Sequence, residues 1–163
     1  MTTNPVAVTF ISTGPVVWEA QQIFASWATM TVRLFAGSST VEFEYTVGPV
    51  PFADGLGKEI IARYSAPSIA SKGTWISDSN GRDGQVRVRN SRRSFNYTVY
   101  EPVAGNYVPV NLFQSLSDGT TQLSVSVDRS QAGASLVDGA LDFMVASAAL
   151  ARGPAPLPSG PPA

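Results

Sequence analysis

The sequence predicts an all-β domain, an antiparallel β-sandwich. Its 163 residues are enough for one domain with a real core. Only 14% of the residues are charged while 44% are apolar, and this balance favours strands and turns over helices, which draw on Glu, Lys and Arg. Strand-like segments also recur at intervals of about 10 to 15 residues with turn signals between them, as in a sandwich.

In the first part of the chain, alternation of apolar and polar residues is clearest at 41–47, where the odd-numbered apolar side chains share one face of a strand. Segment 16–27 fits either a helix or a strand that continues through a bend. The remaining strands are expected at 6–11, 30–35 and 58–64, and turns at 13–15, 37–39, 48–51, 54–55 and 66–73.

In the later part of the chain, strands are expected at 108–116, 123–127 and 140–145. Asp118-Gly119 and Asp138-Gly139 are hairpin or turn signals. The Gly/Ala/Ser segment after Gln131 is expected to be a loop, and the Ala-rich continuation to residue 150 suits either a strand or a helix. The organisation predicted is a β domain over 1–152 and a disordered Pro-rich tail over 153–163.

Two residue types are absent from the sequence, cysteine and histidine. A thiolate nucleophile, a disulfide frame and the commonest zinc ligands are therefore excluded, and a self-contained catalytic site would have to use carboxylates, Lys, Tyr or Ser. The net charge of −1 gives no field for nucleic acid or an anionic membrane. The opening residues do not look like a signal peptide, and no apolar run is long enough for a membrane span. The sequence does not indicate in which cellular compartment the protein works.

The densest polar chemistry lies in residues 75–111, which makes this stretch the first place to look for a ligand. Asp78, Asn80 and Gly81 fit a turn, because Asp and Asn side chains bond their own backbone and Gly takes positive φ. Asn96 begins an N-glycosylation acceptor pattern that matters only in a secreted protein.

A cluster of arginines within the same stretch suits an anion site, and the aromatic residues that follow it offer stacking planes for bases. Because the whole chain is slightly acidic, a structural or interface role with carboxylate partners is favoured over nucleic-acid binding. The residues are Arg82, Arg87, Arg89, Arg92 and Arg93, followed by Phe95, Tyr97 and Tyr100.

Glu42 and Glu44 project from one face of the 41–47 strand, about 7 Å apart by strand rise. Inverting glycosidases use a similar carboxylate separation. A solvated strand face is the favoured interpretation of this pair, and a hydrolase that works with these two carboxylates alone is strongly disfavoured.

Several strings, in series, resemble the α-mannosidases of glycoside hydrolase family 38, most closely the lysosomal-type branch. The resemblance covers roughly residues 8–150 and keeps the family's order and nearly its spacing. The matching strings are residues 44–51, 57–61, 77–82, 101–107 with 109–111, and 128–136 with 138–139.

The resemblance implies only part of such an enzyme, a segment of its C-terminal galactose-mutarotase-like supersandwich. The family's further C-terminal strands are missing, which would leave the sandwich incomplete with exposed strand edges. The family's zinc, held by two His and two Asp, and its Asp nucleophile lie upstream of the matched segment. The resemblance therefore implies no catalytic residue and no cofactor in this chain. The family works in lysosome, vacuole or secretory pathway, among other compartments.

The resemblance also implies a surface that supports the catalytic domain and helps to wall its mannose-glycan cleft. Arg152 is the nearest equivalent of a family Arg-Gly that reaches toward the sugar, although the acidic pair before it is missing and the basic residues of the last strand are replaced by Ala and Ser. The carbohydrate or interface candidates are Asp78, Asn80, Arg82, Asn106, Tyr107 and Arg152.

The function expected is therefore the non-catalytic β-sandwich portion of an α-mannosidase, with the catalytic domain and a mannose-containing glycan as partners. The alternative is a stand-alone carbohydrate-binding module that uses Asp78, Asn80, Tyr107 and nearby aromatic rings. Turnover of an aryl α-mannoside by the purified chain would contradict the first, and absence of sugar binding would count against the second.

Overall fold

A computed structural model describes residues 6–51 and 53–148. The described chain is all-β, with twelve strands, one short 3-10 helix and no α-helix within those ranges. The strands are β1 (Val8–Thr13), β2 (Val17–Ala25), β3 (Ala28–Phe35), β4 (Glu42–Val47), β5 (Lys58–Ser65), β6 (Thr74–Ser79), β7 (Asp83–Val88), β8 (Val108–Val110), β9 (Phe113–Ser117), β10 (Gln122–Ser126), β11 (Gln131–Ala134) and β12 (Ala140–Ala148), and the 3-10 helix is Ala104–Asn106.

The strands form three four-stranded sheets, with the orders β1-β2-β3-β4, β10-β9-β6-β7 and β5-β12-β11-β8. The chain divides into two compact units, one of residues 1–59 with 146–163 and the other of residues 60–145. The all-β prediction is confirmed.

The first unit contains the β1–β4 sheet, an antiparallel meander. Segment 16–27, for which the sequence allows helix or strand, is β2 followed by a tight turn at Ser26 and Trp27. Pairing with both β1 and β3 along its length explains this outcome, because tertiary partners override a weak local helix preference. The expected strands at 6–11, 30–35 and 41–47 are β1, β3 and β4 with small boundary shifts.

The second unit has a core built from two sheets. Trp75 of β6 and Leu116 of β9 face Val110 of β8 and Phe143 of β12 in one buried cluster, with Tyr64 edge-on to Phe143 at 5.8 Å. Trp75 is 1% exposed. This two-layer packing is that of a sandwich.

The structure departs from the sequence predictions at three places in the second unit. The polar stretch at 75–111, in which no strand was predicted before residue 108, contains the β6–β7 hairpin. The single strand expected at 108–116 is two strands in different sheets, β8 paired with β11 and β9 paired with β6 and β10.

The third departure is the expected Gly/Ala/Ser loop, which begins with β11. An added Cβ at Gly133 would lie 2.1 Å from Gln114 Nε2 and 2.8 Å from Val110 Cγ2. Small residues are required there for close packing rather than for flexibility.

The remaining turn and end predictions have mixed outcomes. The turns at Asp118-Gly119 and Asp138-Gly139 are confirmed. β12 stays a strand as far as Ala148, so the helical alternative does not apply to 146–148. The predicted tail at 153–163 lies outside the described residues.

Candidate functional site

Asp78 is the organising residue of the candidate stretch. It lies near the end of β6, is 1% exposed, and accepts four backbone hydrogen bonds. Its Oδ1 accepts the N–H groups of Asn111, Leu112 and Phe113 at 2.7, 2.8 and 3.2 Å, and its Oδ2 accepts that of Gly81 at 2.8 Å. One carboxylate thus fixes a hairpin turn and the point where the chain passes from β8 to β9.

The charge state of Asp78 follows from these contacts. Burial opposes ionisation of the carboxyl, but the four N–H groups stabilise the carboxylate and lower its pKa from 3.8 to about 2. A group that stays ionised throughout the neutral range cannot serve as a general acid there.

The turn that Asp78 holds connects β6 to β7. Asn80 and Gly81 both have positive φ, 55° and 66°, and the N–H of Arg82 bonds to the carbonyl of Ser79 at 3.1 Å. Positive φ at two central residues defines a type I′ turn, for which Asn-Gly is the preferred pair. The turn prediction is confirmed, and it leaves Asn80 and Arg82 exposed at its tip.

Asn106 is fully buried and braces the loop between β7 and β8. Its Oδ1 accepts the N–H of Asn90 at 2.8 Å, and its Nδ2 donates to Asn90 Oδ1 at 2.8 Å and to the carbonyl of Pro102 at 2.7 Å. Asn90 itself has φ of 57°. The Asn106 side chain therefore links Asn90, where the backbone is left-handed, to Pro102, just before the 3-10 helix.

Arginines of the cluster form hydrogen bonds and ion pairs within the second unit. Arg89 donates to Asp138 Oδ1 and to the carbonyl of Ser135, each at 2.9 Å, and Arg87 donates to Ser77 Oγ at 2.9 Å. Because burial removes water from its guanidinium, the pKa of Arg87 is lowered.

Arg92 braces the same loop as Asn106. It donates to the carbonyl of Gly105 and lies over the ring of Tyr97, 4.9 Å from the centroid. These contacts favour the structural role that the sequence indicates for the arginine cluster. They also occupy one face of the Tyr97 ring, which is then not open to base stacking.

An ion pair between β5 and β12, in which the carboxylate is buried and the guanidinium is exposed, was not predicted from the sequence. Asp142 is 0% exposed and accepts a two-pronged contact from Arg63 of β5, with Nε–Oδ1 at 2.6 Å and Nη2–Oδ2 at 2.7 Å. This contact raises the pKa of Arg63. The available signal was one acidic residue within the apolar run 140–145, since a buried carboxylate requires a partner. Tyr107, a sequence candidate, is half-buried.

The glutamates of β4 belong to the first unit and lie on a charged sheet face. Arg33 of β3 bonds to Glu19 of β2 and, at 2.5 Å, to Oε2 of Glu44. Glu42 is exposed and stands opposite Arg33 in register. This arrangement favours the solvated-face interpretation over the carboxylate hydrolase.

Metal-binding clusters and membrane-spanning helices are both absent from the described ranges. No group of three or more His, Cys, Asp or Glu side chains at 6–51 or 53–148 could hold a metal ion. No helix in that part of the chain is long and apolar enough to cross a membrane. Of the six candidate residues, Arg152 lies outside the described residues.

Known proteins match most of this chain. Residues 2–156 match the family described as "Glycosyl hydrolases family 38 C-terminal domain". The chain belongs to this family. The family resemblance carried by the motif strings is therefore confirmed.

The relatives that match this family 38 segment are much longer proteins. Lysosomal alpha-mannosidase of Homo sapiens is 46% identical over 131 residues, covering 80% of this chain but 13% of the human protein. Alpha-mannosidase of Canavalia ensiformis is 42% identical over 139 residues, covering 85% of this chain and 14% of the relative. The chain thus spans about one seventh of the length of these curated relatives.

Proposed function

We propose that this chain is the non-catalytic β portion of an α-mannosidase, which supports the catalytic domain and contributes to the wall of its carbohydrate cleft. The observation that carries the proposal is the coverage: most of this chain aligns with relatives named alpha-mannosidase, yet it corresponds to only 13–14% of their length. A module of a larger enzyme, rather than a self-sufficient hydrolase, accounts for this.

The polar residues of the second unit support a scaffolding role. Asp78 and Asn106 are saturated by contacts within the chain. Their effect is to hold two loops at fixed positions, and rigid loops are what a cleft wall requires. Asn80 and Arg82, exposed on the turn that Asp78 anchors, are the candidates for contact with glycan or with the catalytic domain.

Zinc, which the family resemblance implies for the full-length enzymes, does not fit the residues of this chain. The sequence has no histidine and no cysteine, and no acidic cluster with metal-binding geometry occurs at 6–51 or 53–148. We therefore assign no zinc ligand and no catalytic step to these residues, and expect both in the rest of the polypeptide.

A chimera tests the proposal. The stretch of Canavalia ensiformis alpha-mannosidase that aligns with this chain is replaced by this chain, and a second version lacks the stretch altogether. We expect the deletion to abolish soluble, active enzyme and the replacement to restore hydrolysis of an aryl α-mannoside. Hydrolysis by the isolated 163-residue chain, or a soluble but inactive chimera, would refute the supporting role.

Oligomannose binding by the isolated chain, measured by calorimetry, would instead favour the carbohydrate-binding module. Calorimetry is preferred to tryptophan fluorescence for this measurement, because Trp75 lies in the core and would not contact a sugar.

A further inference from the structure

The tip of the β6–β7 hairpin carries the only Asn-Gly pair in the sequence, Asn80 and Gly81. Such a pair is especially prone to spontaneous deamidation, because glycine has no side chain to hinder attack of its backbone nitrogen on the asparagine side chain. Both residues are exposed. In a flexible chain this pair would therefore lose its amide group over time.

Deamidation at this pair would proceed through a cyclic succinimide. The Gly81 nitrogen loses its proton and attacks Cγ of Asn80, so that a C–N bond forms and the side-chain nitrogen leaves as ammonia. Water then opens the succinimide at either carbonyl, which gives aspartate or isoaspartate. The first step needs a deprotonated Gly81 nitrogen and its close approach to Asn80 Cγ.

Asp78 opposes the deprotonation. The N–H of Gly81 donates to Oδ2 of Asp78 at 2.8 Å, and Asp78 is 1% exposed. The pKa of this carboxyl is lowered to about 2, so it is negatively charged at neutral pH. Loss of the proton would break a hydrogen bond to a charged acceptor and would place a second negative charge beside a buried carboxylate.

The hairpin opposes the approach of the two reacting atoms. Ring closure rotates the peptide group within the turn, but the N–H of Arg82 bonds to the carbonyl of Ser79 at 3.1 Å and closes that turn. Leu112 also lies against Gly81, with its Cδ1 3.5 Å from the position of an added Cβ. Asp78 holds Leu112 there by accepting its backbone N–H at 2.8 Å.

We propose that Asn80 is a latent deamidation site that Asp78 protects. While the hydrogen bond from Gly81 to Asp78 persists, Asn80 keeps its amide group, and it converts to aspartate or isoaspartate when the turn opens. Conversion would add a negative charge to the exposed tip, and isoaspartate would also lengthen the backbone there. Asp78 thus preserves the chemistry of the turn as well as its shape. This inference does not depend on the proposed function.

Two rates measured on the 163-residue chain test the protection. Mass spectrometry of the peptide that contains Asn80 gives the rate of conversion, and hydrogen exchange of the Gly81 N–H reports loss of the same proton. We expect both rates to be at least about tenfold lower in native buffer than in urea. Equal conversion rates in the two solvents would overturn the proposal. So would slow exchange at Gly81 together with rapid conversion of Asn80.

Asp78→Ala separates the effect of the hydrogen bond from that of stability. Asn106→Ala is the matched control, because it loosens the same unit and leaves the bond from Gly81 to Asp78 in place. Urea is added to the control until both variants have the same unfolded fraction. We expect Asn80 to convert at least about fivefold faster in Asp78→Ala than in the control, and equal rates would overturn the role of Asp78.

Asp118→Asn provides a comparison that leaves Asp78 intact, and it therefore decides the question even where Asp78→Ala does not fold. It creates a second Asn-Gly pair on the exposed turn between β9 and β10, where the N–H of Gly119 bonds to the neutral hydroxyl of Ser117 at 3.0 Å. We expect the new pair to convert at least about fivefold faster than Asn80 in the same molecule, because a neutral acceptor opposes loss of the proton less than a carboxylate does. Conversion of Asn80 at the same rate as the new pair, or faster, would overturn the proposal.

Discussion

Replacing Asp78 by Asn should destabilise the second unit more than the loss of a surface charge can explain. The substitution removes a carboxylate that accepts four backbone N–H groups while 1% exposed. An Asn oxygen can still accept from residues 111–113, but its NH₂ group would then face the N–H of Gly81, donor against donor.

The magnitude follows from the pKa of Asp78. A pKa lowered from 3.8 to about 2 corresponds to about 2 to 3 kcal/mol of folding free energy at neutral pH, at about 1.4 kcal/mol per tenfold change. The mismatched donor at Gly81 adds about 1 kcal/mol. We therefore expect Asp78→Asn to lower the free energy of unfolding by about 3 to 4 kcal/mol at pH 7.

The pH dependence of this contribution has a definite sign. Because the folded-state pKa lies below the unfolded one, the stabilisation is fully present above about pH 4 and is lost as the pH falls toward 2. The difference between wild type and Asp78→Asn should therefore be largest near neutrality and shrink over that window. Other acidic groups destabilise the protein in acid as well, but they are common to both proteins.

Urea unfolding followed by Trp75 fluorescence measures the effect. A background in which Trp18 and Trp27 are replaced by Phe leaves Trp75, in the core of the same unit, as the sole tryptophan. Asp83→Asn is the matched control, because Asp83 is exposed at the other end of the same turn. It should change stability by less than about 0.5 kcal/mol. If Asp78→Asn also changed the free energy of unfolding by less than about 0.5 kcal/mol, the reasoning would be refuted. A stability difference between wild type and Asp78→Asn that stayed constant between pH 4 and 2 would refute it as well.

Two further substitutions test how the second unit is held together. Asn106→Ala leaves buried partners unpaired and should cost about 1 to 3 kcal/mol, whereas Asn96→Ala, at an exposed position, should be nearly neutral in the same urea assay. Gly133→Ala places a Cβ against Gln114 and should lower the unfolding free energy by about 1 to 3 kcal/mol. Gly14→Ala, whose Cβ would meet its nearest neighbour at 3.7 Å, should be tolerated, and equal effects at the two glycines would contradict the packing argument.

The sequence by itself determined the features that depend on neighbouring residues. The Asn80-Gly81 and Asp138-Gly139 turns follow from the few residues able to take positive φ, and the alternation in β4 follows from the two-residue period of a strand. The all-β class and the family were accessible for the same reason, because they are carried by composition, pattern and strings of residues along the chain.

Tertiary structure alone decided the features that depend on residues distant in sequence. Asp78 fitted a local turn, yet three of its four hydrogen bonds reach residues 111–113 and end β8 there. The Gly/Ala segment looked like a loop, but pairing with Val108 and Phe143 makes it β11. Both outcomes arise because backbone groups must find hydrogen-bond partners and side chains must pack. The partners that satisfied them were brought close only by the fold.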